Sequence, residues 1–275
     1  MSKTRDFSND RTFLIDMTRC TGCRGCQVAC KQWNQLEAED TTFFKGEGYQ
    51  NPPSMSEHTL TTIRFREYQR HGENEFAFYK EMCMHCNDPA CASVCPVSAF
   101  TKTPEGPVIY NGKRCIGCRF CMIACPFGVP KYQWSKTFPL VVKCSGCYSR
   151  IKSGLIPACA KACPSAITYG SRKDMIAEAE SRLKARPDIY FNKIYGLNEA
   201  GGTSVLYLSE LPFPELGFKK ITGRPLPSLT WAALRLVPGV FLTMGGSLAF
   251  ISWLTHRKDR LRREAEQHQQ SKERS

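Results

Sequence analysis

Four times along the chain, four cysteines fall within twenty residues or fewer, and nothing constrains the fold more. "CTGCRGCQVAC" holds Cys20, Cys23, Cys26 and Cys30, and "CMHCNDPACASVC" holds Cys83, Cys86, Cys91 and Cys95. "CIGCRFCMIAC" holds Cys115, Cys118, Cys121 and Cys125. The last run joins "CSGC" to "CAKAC" and holds Cys144, Cys147, Cys159 and Cys163. These sets use all sixteen cysteines of the 275-residue chain. The last three end in Cys-Pro, at Pro96, Pro126 and Pro164, whereas the first ends in Cys-Lys. A chain this long buries a core without covalent staples, so stability alone does not require so many cysteines.

The spacing separates the uses of thiols. Disulfides between neighbours in a C-x-x-C loop would not span a fold, and zinc sites use two spaced pairs. Three close cysteines with an offset fourth are the ligand run of two-cluster iron–sulfur proteins, whose fourth cysteine serves the other cluster. The expected geometry is a loop wrapping three irons of one cube. The fourth cysteine begins a short helix and points to the neighbouring cube, so motifs work in pairs. The second and third motifs are only nineteen residues apart and close as one unit inside the other.

The formal charge is +13, from 38 Lys+Arg against 25 Asp+Glu. Such a balance suggests nucleic acid or an anionic membrane surface. Each four-thiolate [4Fe-4S] cluster carries about −2 when oxidised, so four would cancel roughly eight of those charges. The basic excess then reads as internal compensation, and no nucleic-acid module is present. No nucleophile–base pair, phosphate loop, H-E-x-x-H or dinucleotide fingerprint occurs. The expectation is an electron-transfer chain without a catalytic site of its own.

Between the motifs, "RTFLIDMTRC" reads as a strand leading into the first cluster loop. Residues 31–80 read as a long insertion in which "TLTTIRFREY" and "NEFAFYKE" alternate as strands do. "SRKDMIAEAESRLKAR", 171–186, is helical by propensity, ends before Pro187 and is expected to lie exposed outside the core. Arg24, Arg114, Arg119, Lys143 and Lys161 stand in or beside the motifs. Ordinary solvated charge accounts for them, with tuning of cluster potentials as the alternative. His85, between two cysteines, reads as a hydrogen-bonding neighbour, because the cysteines already complete the ligand sets.

From Cys20 to Gly202 the chain resembles the four-cluster electron-transfer subunits of molybdenum or tungsten oxidoreductases. Within them it is most similar to the β subunit of membrane-bound respiratory formate dehydrogenase. The resemblance rests on "CQVACKQWN" at 26–34, "YQNPPSMSEHTLTTIRF" at 49–65, "CMHCNDPAC" at 83–91, "CIGCRFCMIACPFGVP" at 115–130 and "GGTSVLYL" at 201–208. The iron–sulfur subunit of membrane nickel–iron hydrogenases is similar too, notably in "CMHC…CPVSA" and the basic tail. Relatives in nitrate and DMSO reductases carry tryptophan for one cysteine of the third motif, whereas Cys118 is intact here.

The resemblance implies an α+β fold of two ferredoxin-like units with insertions, each holding two [4Fe-4S] clusters. It pairs the first motif with the fourth and the second with the third. The implied ligand sets are Cys20, Cys23, Cys26, Cys163; Cys144, Cys147, Cys159, Cys30; Cys83, Cys86, Cys91, Cys125; and Cys115, Cys118, Cys121, Cys95. The implied partners are a molybdopterin catalytic subunit, with molybdenum or tungsten, and a multi-helix membrane subunit of the cytochrome b kind.

"LVPGVFLTMGGSLAFISWL", 236–254, carries no charge, and with its flank it approaches the ~20 residues of a spanning helix. Trp231 and Trp253 bracket it, roughly 33 Å apart at helical rise. Arg235 is expected one turn in, snorkelling to the headgroups. Pro238 is expected to free a carbonyl and kink the helix, and Gly245, Gly246 and Ala249 to let a partner helix approach closely. Residues 1–228 then form the cluster domain, 229–255 a transmembrane helix and 256–275 a basic tail. The tail's "HRKDRLRR" places the C-terminus in the cytoplasm and the cluster domain in the periplasm. "MSKTRDFSNDRTFLID" has no apolar h-region and no twin arginine, so export is expected to rely on a signal-bearing partner.

Overall fold

The computed structural model describes residues 6–7, 10–41, 49–70, 72–228 and 235–273. The chain divides into two units, Met1–Pro227 and Ser228–Ser275. The strands of the first are β1 (Arg11–Asp16), β2 (Thr62–Arg70), β3 (Glu73–Glu81), β4 (Phe100–Lys102), β5 (Val108–Tyr110), β6 (Lys131–Tyr132), β7 (Val141–Val142), β8 (Ile167–Ser171) and β9 (Val205–Leu208). Its helices are α1 (Gly25–Trp33), α2 (Ala90–Ser93), α3 (Phe120–Ala124), α4 (Tyr148–Lys152), α5 (Ala158–Ala162) and α6 (Arg172–Ala185). This is a mixed α/β unit. The second unit is described from α7 (Val237–Glu273).

β1 is the central strand, between antiparallel β8 and parallel β9. Thr12 to Asp16 are all buried, as in a strand covered on both faces. β1 runs into the first cysteine motif and β8 leaves the fourth, so their pairing brings these distant motifs together. α1, carrying Cys26 and Cys30, packs on α5, carrying Cys159. The second and third motifs are joined by the short hairpin β4–β5, and α2 packs on α3.

Three expectations change. The fourth cysteine does not begin a helix; in the last three motifs the third lies on it and the fourth ends or follows it. Cys125 and Cys163 close α3 and α5 with extended ψ of 112° and 122°. The following proline causes this, because its ring excludes the α region for the residue before it. Cys30 precedes lysine instead, and α1 continues past it to Trp33.

α6 is capped by Ser171, whose side chain accepts from the Asp174 N–H, but it is not free of the core. Met175 and Ala179 are buried with Leu14, Ile194, Leu206 and Leu208, so this helix covers one face of the central sheet.

α7 begins at Val237, which places Pro238 in the first turn, where a missing N–H breaks no bond. The expected kink has no cause there, and Arg235 precedes the helix. Trp231 lies outside the described residues. Val237–Glu264 is long and apolar enough to cross a membrane; its most apolar stretch of 18 residues has mean hydropathy 1.5, and none of that stretch is buried within the protein. The hydroxyls of Thr243, Ser247 and Thr255 donate to carbonyls four residues back, at 3.1, 2.8 and 2.9 Å, which satisfies them without water.

Candidate metal centres

The cysteines gather as four quartets, each drawing on two motifs. Cys20 is in electrostatic reach of Cys23, Cys26 and Cys163. Cys30 leaves its own loop for Cys147 and Cys159, and Cys144 neighbours Cys30 and Cys159. Cys86 is grouped with Cys83, Cys91 and Cys125, and Cys121 with Cys95, Cys115 and Cys118. Successive quartets also touch in charge: Cys26 reaches Cys30, Cys83 reaches Cys144, and Cys91 reaches Cys121.

Two quartets line cavities. One is walled by Cys20, Cys23, Cys26 and Cys163 with Ile15, Ile63 and Ile167. The other is walled by Cys30, Cys144, Cys147 and Cys159 with Phe13 and Met82. Among the described residues, no three His, Cys, Asp or Glu side chains converge as they would on one ion. Four thiols drawn from two motifs, repeated four times, suit a group with several metals.

Local chemistry fits such a group. Burial pushes the Cys30 and Cys91 thiols up to about 12 and Cys121 to about 11, and it drives Cys86 and Cys144 well above the ordinary thiol value. Neighbouring thiols reinforce this at each site. Such a set ionises only against bound cationic metal. Backbone N–H groups already point at sulfur: Gly117 at Cys115 (3.4 Å), Gly146 at Cys144 (3.3 Å), Ala99 at Cys95 (3.2 Å) and Ala166 at Cys163 (3.3 Å).

Among the described residues, His85 adds a donor without a protein acceptor. Its Nδ1 accepts the Val108 N–H at 3.0 Å, which leaves the proton on Nε2. That nitrogen is buried, has no partner among those residues, and faces Gly146 in the fourth motif's loop. Burial, with Lys143 and Lys102 nearby, keeps the ring neutral. The expected hydrogen-bonding neighbour is thus found, poised between the second and fourth motifs.

The basic residues divide. Lys143 is buried and donates to the carbonyls of Val108 and, at 2.8 Å, Cys144, so solvated charge does not describe it. Arg24 and Arg119 hold left-handed N-cap positions before α1 and α3. Arg24 lies 4.8 Å from the Phe65 ring and Arg119 5.1 Å from the Trp134 ring. The sequence reasoning missed Lys80, which is 2 % exposed and lines both cavities.

The stretches that carried the resemblance shape these loops. Asn34 donates to the Cys30 carbonyl at 2.8 Å and reaches its sulfur at 3.6 Å. Gln27 ties α1 to the insertion, donating to the Asn51 carbonyl and accepting from the Ile63 N–H. "GGTSVLYL" supplies β9, and its Gly202 and Ser204 bond the backbone of the second motif.

Residues 74–172, which contain the last three motifs, match the 4Fe-4S dicluster domain. A protein of Nitratidesulfovibrio vulgaris is 41 % identical over 82 % of this chain, which spans 62 % of that relative's length. The nitrate-inducible formate dehydrogenase iron–sulfur subunit of Escherichia coli K12 is 38 % identical, over 78 % of this chain and 74 % of its own. The chain belongs to the family of formate dehydrogenase iron–sulfur subunits. That family extends here to the hydrogenase-2 operon protein HybA of Escherichia coli O157:H7, 35 % identical over 76 % of this chain and 72 % of its own. Formate dehydrogenase iron–sulfur subunits are not the catalytic subunits of their enzymes, in keeping with the expectation of an electron-transfer chain.

Proposed function

We propose that this chain is the electron-transfer subunit of a membrane-bound formate dehydrogenase and carries four [4Fe-4S] clusters in two ferredoxin-like units. The ligand sets are Cys20, Cys23, Cys26, Cys163; Cys30, Cys144, Cys147, Cys159; Cys83, Cys86, Cys91, Cys125; and Cys95, Cys115, Cys118, Cys121. Clusters bound there supply one-electron carriers. The protein's residues hold them in thiolate pockets, donate N–H bonds to sulfur and exclude water.

One observation supports the reading above others: each quartet joins two motifs, and the quartets touch in sequence from first to fourth. The order has exposed cysteines at its ends, Cys23 in the first quartet and Cys118 in the fourth, while the second quartet is wholly buried. A chain with two accessible ends and a dry middle suits one donor and one acceptor. The donor on this reading is a molybdopterin catalytic subunit with molybdenum or tungsten. The acceptor is a multi-helix membrane subunit with cytochrome b or a quinone site. α7 anchors the chain in the inner membrane as a single span, with the cluster domain periplasmic and the basic tail cytoplasmic.

The similarity to HybA favours one second reading, the same subunit serving a nickel–iron hydrogenase. Metal analysis of the complex purified anaerobically tests both. About sixteen irons and sixteen sulfides are expected from four cysteines per cluster. Molybdenum or tungsten in the partner supports the formate reading and nickel the hydrogenase one. About eight irons, or stoichiometric zinc, rejects four clusters.

A further inference from the structure

β3 carries a lysine, Lys80, into the protein one residue before the strand ends at Glu81. Lys80 pairs across the hairpin with Ile63, and its side chain forms part of the wall of the first quartet's cavity and of the second's. The backbone is held there by the Tyr207 hydroxyl, which donates to the Lys80 carbonyl at 2.9 Å. The ammonium donates to the Thr61 hydroxyl. One neutral acceptor is a poor substitute for water around a cation, so this burial is costly unless negative charge lies close.

The neighbouring carboxylate does not supply that charge. Glu81, on the opposite face of the strand, is bound by Arg64 at 2.9 Å. Burial disfavours the ammonium. The negative charge has to come from the walls it shares: Cys26 of the first quartet lines one of its cavities, and Cys30, Cys144 and Cys159 of the second line the other. A lysine kept for packing alone would be better replaced by methionine, which fills the same space without desolvating a charge.

We propose that Lys80 is a positioning charge shared by the first two iron–sulfur clusters, raising the reduction potential of both and leaving the other two unaffected. The inference rests on the four-cluster assignment. Reduction of a cluster adds one electron and one negative charge and makes or breaks no bond, and a fixed cation in a dry wall favours that added charge. The same charge screens the mutual repulsion of two reduced neighbours.

The test uses the whole complex, with iron content measured beside redox titrations followed by electron paramagnetic resonance. In Lys80→Met, two clusters should show a reduction equilibrium constant lower by about tenfold or more, equivalent to ~59 mV for one electron. The other two should stay close to the parent, and Lys80→Arg should restore the shifted pair. Should the methionine variant lose iron, Lys80→Gln keeps a donor toward Thr61 without the charge and is expected to show the same downward shift. Unchanged potentials in a fully loaded neutral variant overturn the proposal, as do four equal shifts or an arginine variant that shifts as far as methionine. The parent's iron count separately tests the four-cluster assignment.

Discussion

At the residue scale, the loop between Cys144 and Cys147 leaves no room for a side chain at Gly146. Gly146 sits at φ +65°, and a Cβ there would lie 2.9 Å from Pro107 and 3.3 Å from His85 Nε2. Gly154 has a similar φ of +74° with open space around it. Alanine at either site incurs the left-handed penalty, about 1–2 kcal/mol. Only at 146 must Pro107 or the His85 ring also move. Gly146→Ala should therefore lose about four of sixteen irons, one cluster's complement, while Gly154→Ala only lowers the melting temperature by a few degrees. Equal iron in the two variants would show that the Gly146 loop has slack. The cysteines were legible in the sequence because spacing is a local property and the offset fourth ligand has few other uses. Lys80 was not, because "EFAFYKE" gives no local sign that both faces of β3 become covered near its end. Only the meeting of the hairpin with two distant motifs buries it.

At the element scale, proline placement decides where the short helices stop. Cys-Pro ends α3 and α5 at the fourth cysteine, and its absence lets α1 run on to Trp33, where Arg150 lies 4.6 Å from the indole ring. β1, β2, β3 and α6 were legible from alternation and propensity, whereas the short strands β4 to β9 were not. The role of α6 was not, because a helix with charges all round shows little apolar stripe. Alanine packs where a larger residue would not, and Ala179 is fully buried against the sheet. Ala179→Leu should destabilise the cluster unit by about 1–3 kcal/mol through overpacking. Thermal unfolding under anaerobic conditions measures it, and a helix lying free of the core would leave the melting point unchanged.

At the scale of the whole molecule, the cysteine unit and α7 obey different solvents. The first sets its buried charges beside partners: Asp16 with Arg182 at 2.9 Å, Glu199 with the exposed Lys193 at 2.8 Å, and Lys80 and Lys143 against the thiol quartets. The second shows its apolar side chains outward, which water would penalise and lipid would not. On the proposed reading, direction along the quartets follows from which end meets the membrane acceptor. The family resemblance implies that the fourth quartet is the one nearest the membrane, and Cys118 is its exposed member. Removing that ligand should leave the first three quartets intact, since Cys118 contributes to none of them. Cys118→Ala is thus expected to retain most formate oxidation with a soluble dye, which can draw electrons before the fourth quartet, and to lose quinone reduction by about a hundredfold or more, as loss of a required carrier demands. Co-purification of the catalytic and membrane subunits with the variant checks that the complex has formed. With assembly intact, loss of both activities in equal measure would mean that the quartets are not used in this order.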